Sequence, residues 1–281
     1  MTISRTTLAR ERGVTHGPIT RLISPGGIGE RLKPFIFLDY FSAEITPGFG
    51  FPMHPHSGIA TLTWQPGCDV QYEDTTGQNG TLKAGGLEWM NAGGGARHQG
   101  RLMGTGRATG FQLWVPMPPG VEDGTPVGQY VPPDQVPKIG VEGGEVLVLL
   151  GSIQGADAAA SSPVVSHQDM SYAVLSLDNG CAWRYELPAT HNVAWAFVFE
   201  GQAEVQGTLT GHELVVFDGE GALAFTAPRG RVRVLFGTAK RHDHALVLGP
   251  SSVHTNARSL EDAQRRMHTL GVQLMQAGRL E

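Results

Sequence analysis

Short apolar runs, four to six residues long and separated by clusters of Gly, Asn, Asp and Pro, recur along most of the chain. Phe35-Ile36-Phe37-Leu38, Ile59-Ala60-Thr61-Leu62-Thr63-Trp64 and Leu87-Glu88-Trp89-Met90 are of this kind. They predict strands, since helices need longer stretches of 3.6-residue period. Phe111-Gln112-Leu113-Trp114-Val115 alternates bulky and polar positions, as a half-buried strand does. Residues 116–137 are too rich in Pro and Gly to be expected to carry a sheet and read as a linker. A second set of strands is predicted around 146–150, 173–177, 193–199, 213–217, 223–226 and 232–237. The period changes only near the end. There Ser259 precedes Asp262 by three residues and Leu260, Ala263, Met267 and Leu270 share one face, which predicts a capped amphipathic helix. Arg265 and Arg266 on its polar side admit a membrane-surface role, but a short segment with few aromatics favours packing.

A chain of 281 residues exceeds what one core usually organises, so two domains are expected, residues 1–134 and 135–281. With 40% hydrophobic and 17% charged residues, both should be globular, and 39 Gly with 18 Pro between short runs point to an all-β fold. A net charge of -5 leaves no excess of cations for a phosphate backbone, which argues against direct nucleic-acid binding. Cys68 and Cys181 are too few for a disulfide framework and read as buried thiols. The start, MTISRTTLARERG, has no apolar core of a signal peptide, and no apolar stretch is long enough to cross a bilayer, so a cytoplasmic protein without membrane contact is expected.

Candidate chemistry lies in the histidines. In Phe51-Pro52-Met53-His54-Pro55-His56-Ser57-Gly58, the two imidazoles stand two apart on a predicted strand and share a face. Eleven histidines placed at random would give about 0.4 such pairs, so spacing alone is weak. A second pair does occur, His242-Asp243-His244, in a charged stretch that reads as solvated surface. Support for the first pair comes from Trp89-Met90-Asn91-Ala92-Gly93-Gly94-Gly95-Ala96-Arg97-His98, a strand and glycine turn that could bring His98 opposite it. Three imidazoles around an open position suit a catalytic metal better than a closed structural one. His191 and His212 lie far apart and suggest no second site.

Four stretches carry a family resemblance: Phe35-Ile36-Phe37-Leu38-Asp39-Tyr40-Phe41, the His-Pro-His segment, Leu87-Glu88-Trp89-Met90-Asn91-Ala92-Gly93, and Phe111-Gln112-Leu113-Trp114-Val115. Gly249-Pro250 and Thr255-Asn256 add later echoes. The chain resembles the pirin family of two-domain cupins. That resemblance implies a bicupin of two β-barrel or jelly-roll domains, a metal pocket in the first, a degenerate second domain and a short C-terminal helix. It implies one divalent metal, commonly Fe2+, with Zn, Mn, Ni or Cu as alternatives and an empty pocket as the other outcome. The metal ligands and catalytic residues carried over are His54, His56 and His98. The family's fourth ligand, a glutamate two residues beyond the last histidine, is Gly100 here, and Ala60 stands where many cupins keep a glutamate. Gln99 points to the other face of its strand, and Glu73, Asp74 and Glu88 remain as more distant donors. The implied activity is quercetin 2,3-dioxygenase-like, acting on a flavonoid-like aromatic. The alternatives are a metal-responsive regulator acting through a protein partner and a metal-free relic.

Other motifs fall away. Gly26-Gly27-Ile28-Gly29 lacks the lysine and flanking elements of a phosphate loop. Ser57 and Ser152 lie in no nucleophile elbow, though folding could assemble a triad from distant residues. The five tryptophans read as core, with Trp89 and Met90 as candidate pocket walls.

Overall fold

The computed structural model describes residues 4–46, 48–155 and 158–280. Strands dominate it. The first twelve in chain order are β1 (Thr6–Glu11), β2 (Val14–His16), β3 (Ile19–Ile23), β4 (Phe37–Ile45), β5 (Gly50–His56), β6 (Ile59–Trp64), β7 (Asp69–Asp74), β8 (Asn79–Leu82), β9 (Leu87–Asn91), β10 (Ala96–Met103), β11 (Gly106–Pro116) and β12 (Val127–Val131). By its contacts the chain divides into two compact units. One holds the chain up to Thr15, residues 32–34 and residues 134–242; the other holds residues 16–31, 35–133 and the chain from Asp243 on.

The unit that contains the paired histidines is built from two antiparallel sheets. One has the order β12-β9-β6-β11-β4-β3-β2 and the other β5-β10-β7-β8. Phe41 of the larger sheet packs with Val70 and Leu102 of the smaller one, in a buried cluster that also includes Cys68 and Ala108. Alternation explains the smaller sheet, because in β10 His98 and Leu102 turn inward while Arg101 and Met103 are exposed. β6, by contrast, sits between β9 and β11 and is buried at every position, Thr61 and Thr63 included.

Within residues 116–137 the expectation of no sheet fails, because Val127–Val131 forms β12 and pairs with β9 from Val127↔Asn91 to Val131↔Leu87. Pro126 and Pro132 flank the strand, and β12 lies at the sheet's edge, where the missing N–H of a neighbouring proline breaks no ladder.

The other unit repeats the plan. A seven-stranded sheet pairs β1 with Leu214–Asp218, followed by Val193–Glu200, Val232–Ala239, Met170–Leu177, Gly144–Leu150 and Lys138–Val141. A four-stranded sheet accompanies it, and Val148, Leu175, Ala196, Val215 and Phe236 contribute to one buried core. The ends of the chain do not follow a division at 134/135, since β1 joins the sheet of later strands while the terminal helix belongs to the histidine-bearing unit. The helix follows its apolar face, which buries Leu260, Ala263, Met267 and Leu274, whereas β1 is largely exposed and joins as an edge strand through its ladder to Leu214–Asp218.

The terminal helix spans Ala257–Gln276, with Leu260, Ala263, Met267 and Leu274 buried. Its cap is not Ser259 but Asn256, three residues earlier, whose side chain accepts from the Ser259 amide. Ser259 Oγ instead donates to Asp123 at 2.7 Å. Arg266 Nε donates to the Gly94 carbonyl, so this arginine serves the glycine turn before β10. Among the described residues no helix is long and apolar enough to cross a membrane. Cys68 is buried, but Cys181, expected to be buried too, is only half-buried.

Candidate metal centre

Antiparallel pairing of β5 and β10 places His98 directly across from His54 and Ala96 across from His56. A bulge between His98 and Gly100 re-aims the strand beside them. The consequence is convergence: ring centroids of His54 and His98 lie 4.4 Å apart, His54 and His56 4.9 Å, and His56 and His98 5.2 Å. Each ring offers one ligand atom within 4.8 Å of the others. This is the only such group of three among the described residues.

Each imidazole is also oriented. His54 Nδ1 donates to the Pro52 carbonyl at 2.7 Å, His56 Nδ1 to the Ser251 carbonyl at 3.0 Å, and His98 Nδ1 to Glu88 Oε1 at 2.6 Å. An acceptor at Nδ1 fixes the proton there and leaves Nε2 as a bare lone pair. Nε2 of both His56 and His98 is buried with no hydrogen-bond partner, the condition of a donor atom that lacks its cation. Burial, reinforced by the neighbouring His98, lowers His54 to about 4 and holds His56 well below the ordinary imidazole range. Both therefore stay neutral and able to ligate near pH 7. The residues present fit a divalent ion.

His56 depends on the carboxy-terminal segment. Beyond the Ser251 carbonyl, Ser57 Oγ donates to Ser252 Oγ at 2.9 Å and stands 3.0 Å from His254 Nε2. Gly58 makes this approach possible: its φ is +70°, and a Cβ there would collide with the Val253 carbonyl and the His254 ring. His254 Nδ1 lies 3.5 Å from Glu122, which accepts from the Thr255 amide and hydroxyl. Ser57, His254 and Glu122 thus follow one another as a hydrolase triad would. All three are buried to 1% exposure or less, out of reach of a substrate, so the arrangement is a structural clasp.

His54 and His98, but not His56, line a cavity of about 40 Å³, together with Phe51, Glu88, Gly100 and Gln112 among others. A larger groove, about 770 Å³, lies along the small sheet, and none of the three histidines lines it. The two share Phe51, Gln99 and Gly100. Asp39, another wall residue, is held by Nε and Nη2 of Arg21, and burial raises its carboxyl above its ordinary value.

Of the distant carboxylates, Glu73 accepts from Gln99 at 2.8 Å and from Arg279, away from the rings. Asp74 accepts from Thr76 and Gln78 and from the Tyr130 hydroxyl. Glu88 alone reaches the site, behind His98. The signal was present in sequence as one acid inside the apolar run from Leu87 to Met90, since an unpaired carboxylate is rarely fully buried. Trp89 and Met90 are core and line neither the small cavity nor the larger groove. His191 is engaged with Thr238 and Asp169, and His212 is exposed. The reading of 242–244 as solvated surface is corrected at His242, which is 4% exposed and bonded to Gln168; Asp243 and His244 are exposed.

The family model described as Pirin matches residues 19–115, the stretch that contains all three histidines. A Pseudomonas aeruginosa protein named "Putative quercetin 2,3-dioxygenase" is 32% identical over 258 residues, covering 88% of this chain and 89% of its own. A pirin-like protein of Solanum lycopersicum is 28% identical over 263 residues, covering 92% and 88%. The fold is similar to the crystal structure of quercetin 2,3-dioxygenase from Acinetobacter baumannii, with a TM-score of 0.83, 22% identity and coverage of 94% and 96%. It is also similar to that of the bacterial pirin YhhW in complex with nickel(II) from Escherichia coli, at TM-score 0.62, 21% identity and coverage of 86% and 100%. On this sequence likeness and shared architecture, the chain belongs to the pirin family.

Proposed function

We propose that the protein is a mononuclear, metal-dependent dioxygenase of the quercetin 2,3-dioxygenase type, with His54, His56 and His98 as metal ligands and Fe2+ as the expected ion. One observation carries the reading: the three imidazoles each offer a ring nitrogen within 4.8 Å of the others, while every Nδ1 is already held by an acceptor. When bound, the ion supplies Lewis acidity and open positions for a substrate oxygen and for dioxygen. The protein's part is to keep His54 and His56 neutral and all three rings aimed, and to wall the cavity with apolar Phe41, Phe51 and Val70 against bulk water. Gly100 projects no side chain into that space.

At about 40 Å³ the cavity accepts ligands of water or oxygen size, whereas drug-sized ligands occupy about 300 Å³ or more. A flavonol therefore enters only if the wall moves. Phe51, packed edge-on against Phe41 and shared with the outer groove, is the side chain whose movement joins the two spaces. On this reading the chain works as two cupin-type halves divided near residue 134, the first catalytic and the second a scaffold. A cytoplasmic setting suits its two free thiols.

The test is an anaerobic titration of metal-loaded protein with quercetin, followed by oxygen. Substrate consumption that disappears in His54→Ala and His98→Ala is expected. Absence of turnover with every divalent metal would remove the enzymatic reading. The small cavity then favours the second one, a metal-responsive module whose surface is read by a protein partner. Metal-dependent binding of that partner, unchanged by substrate analogues, would support it.

A further inference from the structure

The three rings are not anchored alike. His54 and His56 donate to neutral carbonyls, whereas His98 donates to a carboxylate, and that pair is buried, with side chains 4% and 9% exposed. Glu88 has no other ion pair recorded among the described residues, and it lies on β9, opposite Thr63 of β6 and Tyr130 of β12. An unpaired carboxylate in such a place is strongly disfavoured. A divalent cation on the far nitrogen of the same ring supplies the missing opposite charge.

Three neutral imidazoles alone would leave a divalent ion uncompensated. Among the described residues no carboxylate joins the ligand group of the trio, and at Gly100 the reason is not lack of room. A Cβ there would meet only the flexible Val70 Cγ1, at 3.3 Å. Resting on the metal-site reading above, we propose that Glu88 is the charge-balancing and positioning residue of the centre. It holds His98 with Nε2 toward the ion and delivers through the imidazole the negative charge that no ligand provides directly. The chain thus places its carboxylate one ring away from the metal, which leaves the metal side of β10 open to substrate.

The experiment measures Ni2+ and Zn2+ dissociation constants by chelator competition on the full chain. Glu88→Gln keeps an acceptor for Nδ1–H but removes the charge, and a 10- to 100-fold loss of affinity is expected. Gly100→Glu, which puts a carboxylate beside the ion, should tighten binding alone and restore it in the double variant. If Glu88 supplies charge, Gly100→Glu gains more affinity in the Glu88→Gln background than in the unaltered chain, whereas a role in shape alone would give the same gain in both. The Co2+ absorption bands should shift in Glu88→Gln and move back in the double variant. Metal binding by the unaltered chain with unchanged affinity in Glu88→Gln would overturn this proposal and leave the metal site standing. No uptake by the unaltered chain would overturn both. Should Glu88→Gln fail to fold, Gly100→Glu decides alone, and an affinity no tighter than that of the unaltered chain overturns the proposal.

Discussion

His54 and His98 are register partners across β5 and β10, yet one leans on the Pro52 carbonyl and the other on the Glu88 carboxylate. Removing either ring should abolish metal binding, but the metal-free chains should differ. His98→Ala leaves Glu88 buried without its partner, which costs about 3 kcal/mol. His54→Ala frees only a carbonyl near the surface and should cost less than about 1 kcal/mol. Urea denaturation in the presence of a chelator measures both. Equal losses would mean that Glu88 does not depend on His98.

Ser57 gives a second prediction. Its hydroxyl joins Ser252 to His254 next to His56, so Ser57→Ala should cost about 1–3 kcal/mol by stripping both of a partner. Metal affinity should fall as well, because the same segment presents the Ser251 carbonyl to His56. A variant that loses stability but binds metal as tightly as before would separate the clasp from the centre.

The architecture and the convergence of His54, His56 and His98 were legible because both rest on local order. Period-2 alternation and turn residues mark the strands, and His-x-His shares a face by strand geometry. The support behind the rings was not legible. Glu88 reaches His98 only because β9 of the larger sheet faces β10 of the smaller one, and Ser251 and His254 reach His56 and Ser57 across nearly two hundred residues. Likewise β12 was obscured by its flanking prolines, which tolerate an edge position. Asn256 lost to Ser259 as cap because the spacing from Ser259 to Asp262 imitates a capping box without being one.

Stability of the metal-free protein should fall on mild acidification. Burial lowers His54 to about 4, lowers His56 well below 6.5, and lowers His254 as well. An unfolded chain takes up protons on all three near pH 6.5, while the folded chain resists. The unfolded state therefore binds more protons between about 6.5 and 4, and stability present above 6.5 is lost as the pH falls through that window. Each ring can contribute up to about 1.4 kcal/mol per pH unit. Asp39, raised by burial, acts in the opposite sense but only above its ordinary value of 3.8. Thermal melts from pH 7.5 to 4.5 in chelator check this; a flat profile would contradict it.

Trp114 offers an optical report on the centre. Its indole stacks on Phe37 with centroids 4.0 Å apart and meets the His56 ring edge-on at 5.1 Å. A paramagnetic ion held by His56 would stand within quenching range of that indole, so Ni2+ or Co2+ titration should lower tryptophan emission. Trp114→Phe should abolish most of the metal-dependent change while leaving the affinity, read by chelator competition, within about threefold. His56→Ala should abolish both. The ring stack at Phe37 survives the Trp114→Phe change, so loss of the signal cannot be ascribed to collapse of the wall. Quenching that persists undiminished in Trp114→Phe would place the ion away from His56 and count against the three-histidine centre itself.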